Sequence, residues 1–213
     1  MISILITDDH PIVRKGIRQL LEDDPDERFG NIEEAGNGKE LLEKLNSSDF
    51  DVVLLDISLP GRSGLDLLGD IKKLKPEVAV VILSIYSEEQ YAFRSLRLGA
   101  SGYLTKASAP EELVAAVIKA ARGERYITSS LAEKITFHLL ENSDAPLHEK
   151  LSVREIEVVS MLASGKTMSG IAKDLSLSPK TISTYRERIL AKLNLKTTSD
   201  IIRYAIREGL SEE

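Results

Sequence analysis

Five short aliphatic runs, separated by stretches of helix length, fill the first 122 residues and leave few folds open to them. Ile2-Ser3-Ile4-Leu5-Ile6-Thr7 runs into Asp8-Asp9, and residues 32–35 form a second run. Val52-Val53-Leu54-Leu55 ends on Asp56, residues 78–83 end on Ser84, and Gly102-Tyr103-Leu104-Thr105 ends on Lys106. Unbroken Val, Ile and Leu is what strands covered on both faces require. The intervening residues 11–21, 39–45, 64–74, 88–98 and 110–121 read as amphipathic helices, the first with Pro11 in its opening turn and Ile17, Leu20 and Leu21 on its apolar side. Five βα units in succession imply a mostly parallel sheet with helices on both faces.

Beyond Gly123 no strand pattern recurs. Residues 130–140 read as a lone helix, and Asn142-Ser143-Asp144-Ala145-Pro146 as a polar, helix-stopping linker. From Leu151 the chain reads as helix throughout. Ser152 and Glu155 have capping-box spacing and open a helix to about residue 164, where Gly165 stops it. Residues 168–175 form a short second helix, and Ser178-Pro179 pairs an N-cap with a proline at the first helical position. That third helix runs to Leu193, and Thr197 caps a fourth. The expected division is 1–122, a helix-containing linker over 123–148, and 149–213.

Charge follows the same division. Residues 150–213 carry 11 Lys and Arg against 8 Asp and Glu, whereas residues 1–149 carry 17 against 26. A mildly basic back on an acidic front suits a polyanion-binding unit joined to a body of another purpose. The chain has no cysteine, which excludes disulfides and thiolate metal sites. It shows neither a secretory leader nor an apolar run long enough to span a membrane, so a cytoplasmic location is expected.

The polar residues that end the aliphatic runs carry the chemistry. In open α/β sheets, ligands collect at the carboxyl edge of the strands. There Asp56 can act as nucleophile and take a phosphoryl group as an aspartyl phosphate. Such a transfer needs a divalent cation, and Mg2+ binds through one or two carboxylates, water and phosphate oxygens. Asp9 and Asp56 supply carboxylates, with Asp8 acting through water, Lys106 an ammonium for the phosphoryl oxygens and Ser84 a hydroxyl. Singly, each has an ordinary structural use: Asp8-Asp9 as a helix-start cap, Ser84 as an N-cap, Lys106 as a solvated lysine. Their placement at successive strand ends is what joins them into one constellation.

Three segments, Thr7-Asp8-Asp9-His10-Pro11-Ile12-Val13-Arg14-Lys15-Gly16, Leu55-Asp56-Ile57-Ser58-Leu59-Pro60-Gly61 and Gly99-Ala100-Ser101-Gly102-Tyr103-Leu104-Thr105-Lys106, resemble those of two-component response regulators. The resemblance is to the NarL/FixJ group, which pairs a receiver with a LuxR-type helix-turn-helix, and it covers nearly the whole chain. It implies a flavodoxin-like (βα)5 receiver of strand order 2-1-3-4-5, a sheet for which a chemotaxis receiver is itself a standard example. It further implies phosphorylation of Asp56 by a partner histidine kinase and a Mg2+ held by Asp9, Asp56 and the Ser58 carbonyl with Asp8 alongside. Ser84 would follow the phosphoryl group and Tyr103 would occupy the space it vacates. Tyr86 lies where the family tunes phosphoryl lifetime. Pro60-Gly61 would shape the loop over the site, and His10 is expected to serve only the helix start or the surface.

In the third helix of the back half, Ile182, Ile189 and Leu193 share one stripe, with Tyr185 and Arg186 at its margins. Lys180, Ser183, Thr184, Glu187 and Arg188 face away, a polar face suited to the major groove, and Lys180, Arg186, Arg188, Lys192 and Lys196 can neutralise phosphates. Leu151-Ser152-Val153-Arg154-Glu155-Ile156-Glu157-Val158 and the segment from Ser178 to Leu190 resemble the opening and the recognition helix of LuxR-type domains. The resemblance implies an all-α four-helix domain that dimerises through its final helix, about residues 198–207, and reads double-stranded DNA through Lys180, Thr181, Ser183, Thr184, Glu187, Arg188 and Lys192.

Two positions depart from that pattern: Gly170 stands where the family usually has an acidic residue, and Ser183 where a lysine is common. Glu187 could accept a hydrogen bond from cytosine or pair with a neighbouring arginine, and the pairing is the one expected. The resulting expectation is a transcription regulator, not an enzyme, switched by phosphorylation and dimeric when active. The competing readings are a regulator gated by a ligand or partner without phosphorylation, and an aspartate-nucleophile phosphohydrolase.

Overall fold

The computed structural model describes residues 1–86, 88–108, 110–133, 147–175 and 177–210. They form two compact units, residues 1–141 and 142–213, each described by itself.

The first unit is a five-stranded parallel sheet of order β2-β1-β3-β4-β5, with β1 Ile2–Thr7, β2 Phe29–Ala35, β3 Val52–Asp56, β4 Ala79–Ser84 and β5 Gly102–Thr105. Its helices are α1 Pro11–Glu22, α2 Gly38–Ser47, α3 Gly64–Leu74, α4 Glu88–Arg97 and α5 Pro110–Ala121. Every residue of β3 and β4 is buried, which is why their sequence shows no alternation. On one face Ile4, Ile6, Val52, Leu54, Val81 and Leu104 pack with Leu21 of α1 and Leu113, Ala116 and Val117 of α5. On the other, α2 lies along β1 and β2, α3 along β3 and α4 along β5. The register pairs Thr7 with Leu55, Asp56 with Leu83 and Ser84 with Thr105, so the polar residues that end the runs line up along one edge.

β2 begins at Phe29, three residues before the expected start. It is an edge strand whose first half is fixed by the pairing of Ile2 with Phe29 and by Ile2 N–H donating to the Arg28 carbonyl, not by its own hydrophobicity. A short strand-like contact also exists where none was expected: Gly102 forms an isolated parallel bridge with Tyr126, whose N–H donates to the Ser101 carbonyl at 2.8 Å. Residues 129–133 are helical. The remainder of the expected helix to residue 140, and the expected linker at 142–146, lie outside the described residues.

Gly69, inside α3, has nothing within 4 Å of the position a Cβ would take. Gly69→Ala is therefore expected to stabilise the first unit by about 0.5–1 kcal/mol, by lowering the entropy of the unfolded chain. Urea unfolding checks this, and an unchanged or lower midpoint would contradict it.

The second unit opens with a 3-10 turn, Leu147–Lys150, followed by α6 Val153–Ala163, α7 Met168–Asp174, α8 Pro179–Leu193 and α9 Thr198–Arg207. The caps set these boundaries. Ser152 Oγ accepts from Glu155 N–H at 3.3 Å while Glu155 accepts from Ser152 N–H at 2.6 Å. Gly165 ends α6 in the left-handed region at φ 82°. Ser178 Oγ accepts from Thr181 N–H ahead of Pro179, and Asn194 closes α8 at φ 54°. Ile156, Val159 and Leu162 of α6, Ile171 of α7, Ile182, Ile189 and Leu193 of α8 and Ile201 and Ala205 of α9 make the core. Gly170, one of the two departures, is the third residue of α7 and donates its N–H to the capping Thr167 Oγ1 at 3.1 Å. Among the described residues, no helix is long and apolar enough to cross a membrane.

Thr197 and Asp200 form a second reciprocal cap. The Thr197 hydroxyl, then Arg203, holds the Asp200 carboxyl well below its ordinary value, down to about 2. A pKa depressed on folding stabilises the unit above the unfolded value and loses that contribution as pH falls through the folded one. Carboxyl NMR is expected to show Asp200 titrating near 2, and Thr197→Ala to move it up towards the unfolded value. An unshifted midpoint in the unsubstituted protein would contradict the cap.

Candidate functional site

At the carboxyl edge of the sheet, β1 and β3 deliver Asp8 and Asp56 side by side, each only 1% exposed. Lys106, just past β5, reaches both: its Nζ lies 2.6 Å from Asp8 Oδ2 and 2.9 Å from Asp56 Oδ2. Ser58 N–H donates to Asp56 Oδ1 at 3.1 Å, and His10 N–H donates to Asp8 Oδ1 at 2.8 Å. Asp9 is more open, with Oδ1 2.7 Å from His10 Nδ1. Ligand atoms of Asp8, Asp9, His10 and Asp56 all lie within 4.8 Å of one another.

Electrostatics follow from this crowding. Burial pushes the Asp56 carboxyl above the ordinary carboxylate range, and the Lys106 ammonium pulls it back only in part. Burial acts to lower Lys106, but the carboxylates of Asp8 and Asp56 outweigh it and leave it raised. Three carboxylates face one ammonium, so the pocket carries an excess of negative charge and of hard oxygen donors. That donor set is compatible with a divalent metal ion.

Around this pocket, Ser84 is fully buried and its Oγ accepts from Tyr86 N–H at 3.0 Å. Tyr103, also buried, donates its hydroxyl to the Tyr86 carbonyl at 2.9 Å. Gly61 lies at φ 80° in the loop after Asp56, a conformation that favours glycine. One contributor was not visible in the sequence: Arg14, one turn into α1, donates to the Asp8 carbonyl at 2.7 Å and to Glu34 at 3.0 Å. Its signal, an arginine three residues after a helix-start proline, has meaning only once β2 brings Glu34 alongside.

In the second unit α8 presents Lys180, Ser183, Thr184, Glu187, Arg188 and Lys192 to solvent, while Thr181, Tyr185 and Arg186 are half-buried. Two of its basic side chains are held by neighbouring helices. Lys192 Nζ lies 2.6 Å from the buried Glu155 of α6, and Arg186 Nε donates to Thr198 Oγ1 of α9 at 2.7 Å. The expected pairing of Glu187 with a neighbouring arginine is not formed, and Glu187 has no ion pair among the described residues. Adjacent helical positions do not face each other, and Arg186 is turned towards α9.

Residues 4–118 match the family described as response regulator receiver domain, and residues 149–205 the one described as bacterial regulatory proteins, luxR family. Response regulator UvrY of Escherichia coli K12 is 35% identical over 212 residues, covering 99% of this chain and 96% of that protein. RcsB from Salmonella enterica serovar Typhimurium, solved bound to promoter rprA with phosphomimetic BeF3-, superposes with a TM-score of 0.63 at 29% identity, over 95% of this chain and 97% of that one. A structure of two RcsB dimers bound to two parallel DNAs gives 0.58 at 28% identity, over 96% and 98%. The two family matches lie in one chain, over the unit that carries the acidic pocket and over the four-helix unit, and the chain belongs to the response regulators that join a receiver to a LuxR-type helix-turn-helix.

Proposed function

We propose that this chain is a cytoplasmic DNA-binding transcription regulator of a two-component system, phosphorylated on Asp56 from the phosphohistidine of a partner kinase. The observation that carries this is the Lys106 ammonium between Asp8 and Asp56 at the strand edge, in a chain whose second unit exposes the polar face of α8. An Asp56 carboxylate oxygen attacks phosphorus, the P–N bond to the kinase imidazole breaks, and its electron pair stays on that nitrogen. Asp8, Asp9, Asp56 and the Ser58 carbonyl would hold Mg2+, which supplies charge neutralisation at the phosphoryl oxygens when bound. Lys106 is already ion-paired to Asp56 and would bind a phosphoryl oxygen. The Ser58 N–H steadies the nucleophile. Ser84 would donate its hydroxyl to the phosphoryl group, and Tyr103 would then fill the space Ser84 leaves.

The working division is a receiver over 1–122, a linker over 123–148 and a DNA-reading unit over 149–213. Lys180, Thr181, Ser183, Thr184, Glu187, Arg188 and Lys192 form the proposed DNA face, with Lys192 placed by Glu155. α9 is the proposed dimer contact, supported by Ile206, 60% exposed on that helix, and by the dimers in the RcsB–DNA structure. The family is one of regulators, which removes the phosphohydrolase reading.

The test is affinity for duplexes selected from a random pool, with and without BeF3- and Mg2+. Phosphomimetic binding is expected to tighten DNA binding within the roughly 5- to 150-fold range of allosteric couplings. Arg188→Ala is expected to weaken binding to all sequences alike and to lower the salt slope by about 1. Equal affinity in both states would favour a regulator gated without phosphorylation.

A further inference from the structure

Glu187 is the only acidic residue of α8, and it is exposed among Lys180, Ser183, Thr184 and Arg188. At 3.6 residues per turn it lies about 140° round the helix from the buried Ile182, on the same outward side as Lys180 and Thr184. The residues three and four positions away are Ser183, Thr184, Leu190 and Ala191, none positively charged, so α8 offers it no ion pair of its own. Arg186 is committed to Thr198, and Glu187 has no polar partner among the described residues. Nearby hydroxyls are already engaged: Thr184 donates to the Lys180 carbonyl at 3.1 Å, and Thr181 Oγ1 lies 2.8 Å from Ser178 Oγ. The Ser183 hydroxyl can donate or accept and so selects no base. The Glu187 carboxylate is the acceptor-only group left open on this face, whose other charges, Lys180 and Arg188, are positive.

We propose that Glu187 selects a cytosine, its carboxylate accepting a hydrogen bond from the N4 amino group, once in each half-site of a two-fold site. The inference rests on reading α8 as the helix that enters the major groove, and it adds which base is chosen there. A carboxylate is repelled by phosphate, so on this face it costs affinity unless it meets a donor. The donors in the major groove are the amino groups of cytosine and adenine. Adenine sets its N7 acceptor beside the amino group, and guanine and thymine present acceptors that repel a carboxylate. Cytosine alone offers the amino group with no acceptor of its own alongside. Lys180 and Arg188 offset the general repulsion through phosphates, so Glu187 sets sequence preference while lowering affinity for DNA at large.

The experiment is selection of duplexes from a random pool by the full chain, with BeF3- and Mg2+, beside Glu187→Ala and Glu187→Gln. Affinities are then measured on the selected duplex and on its single-base variants. For the unsubstituted chain, replacing the selected cytosine is expected to weaken binding about fivefold or more. Glu187→Ala is expected to lose the preference at that position alone and to bind duplexes lacking the cytosine more tightly. Glu187→Gln is expected to select adenine there, whose N6 and N7 match an amide. Exchanging the cytosine for 2-pyrimidinone, which lacks the N4 amino group, should weaken binding by the unsubstituted chain more than by Glu187→Ala. A Glu187→Ala chain that keeps the cytosine preference, or that binds every duplex more tightly with the selected sequence unchanged, overturns the assignment. An unsubstituted chain that selects no sequence overturns the reading of α8 as a DNA-reading helix, a separable failure.

Discussion

Gly64→Ala is expected to destabilise the first unit by about 3 kcal/mol or more, because the first residue of α3 sits against the end of the strand that carries Asp56. A Cβ at Gly64 would lie 2.2 Å from the Asp56 carbonyl oxygen and 2.8 Å from Ile57 Cα. Both are main-chain atoms, so no rotamer change relieves the overlap. Gly64 N–H also donates to the Ile57 carbonyl at 2.8 Å, which fixes how closely helix and strand approach. Relief requires moving either α3 or Asp56, so phosphodonor labelling should fall with stability. Urea unfolding of Gly64→Ala beside Gly69→Ala, five residues along the same helix, separates this close approach from helix propensity. Stability within about 0.5 kcal/mol of the unsubstituted chain would refute the contact.

The second large effect concerns Asp56 itself. Asp56→Asn is expected to bind DNA with the same affinity whether or not phosphodonor is present, and to be more stable than the unsubstituted chain. Burial raises the Asp56 carboxyl in the folded state, with Lys106 offsetting only part. A group whose folded pKa exceeds its unfolded pKa costs stability when ionised. That cost is present in full above the folded value and vanishes as pH falls to the unfolded one. The amide keeps the shape without the charge, and Lys106 keeps Asp8 as partner. A gain of about 0.5–2 kcal/mol is expected at neutral pH, shrinking as the solution is acidified towards the unfolded carboxylate value. Thermal unfolding across pH reads this directly, and a variant less stable at neutral pH would mean that Lys106 outweighs burial.

Much of the fold was legible because the relevant signals are local. β3 and β4 are buried on both faces and read as unbroken aliphatic runs, and the caps at Ser152, Ser178 and Thr197 each closed as the spacing suggested. The stripe of Ile182, Ile189 and Leu193 placed the buried side of α8 by period alone. What stayed hidden depends on partners distant in sequence. The opening of β2 and the bridge from Gly102 to Tyr126 are set by the neighbouring strand. Arg14 on the Asp8 carbonyl and Lys192 on Glu155 are contacts through space, and the arginine pairing expected of Glu187 is not formed because Arg186 turns to Thr198.

Mapping a phosphoryl label decides whether Asp56 is the phosphoacceptor. The full chain is treated with a small-molecule phosphodonor and Mg2+, and the acyl phosphate is trapped and located by peptide mass spectrometry. A single label is expected, on Asp56, and it is lost when Mg2+ is chelated beforehand. A label on Asp8, Asp9 or any other residue, or a chain that takes none, would contradict it.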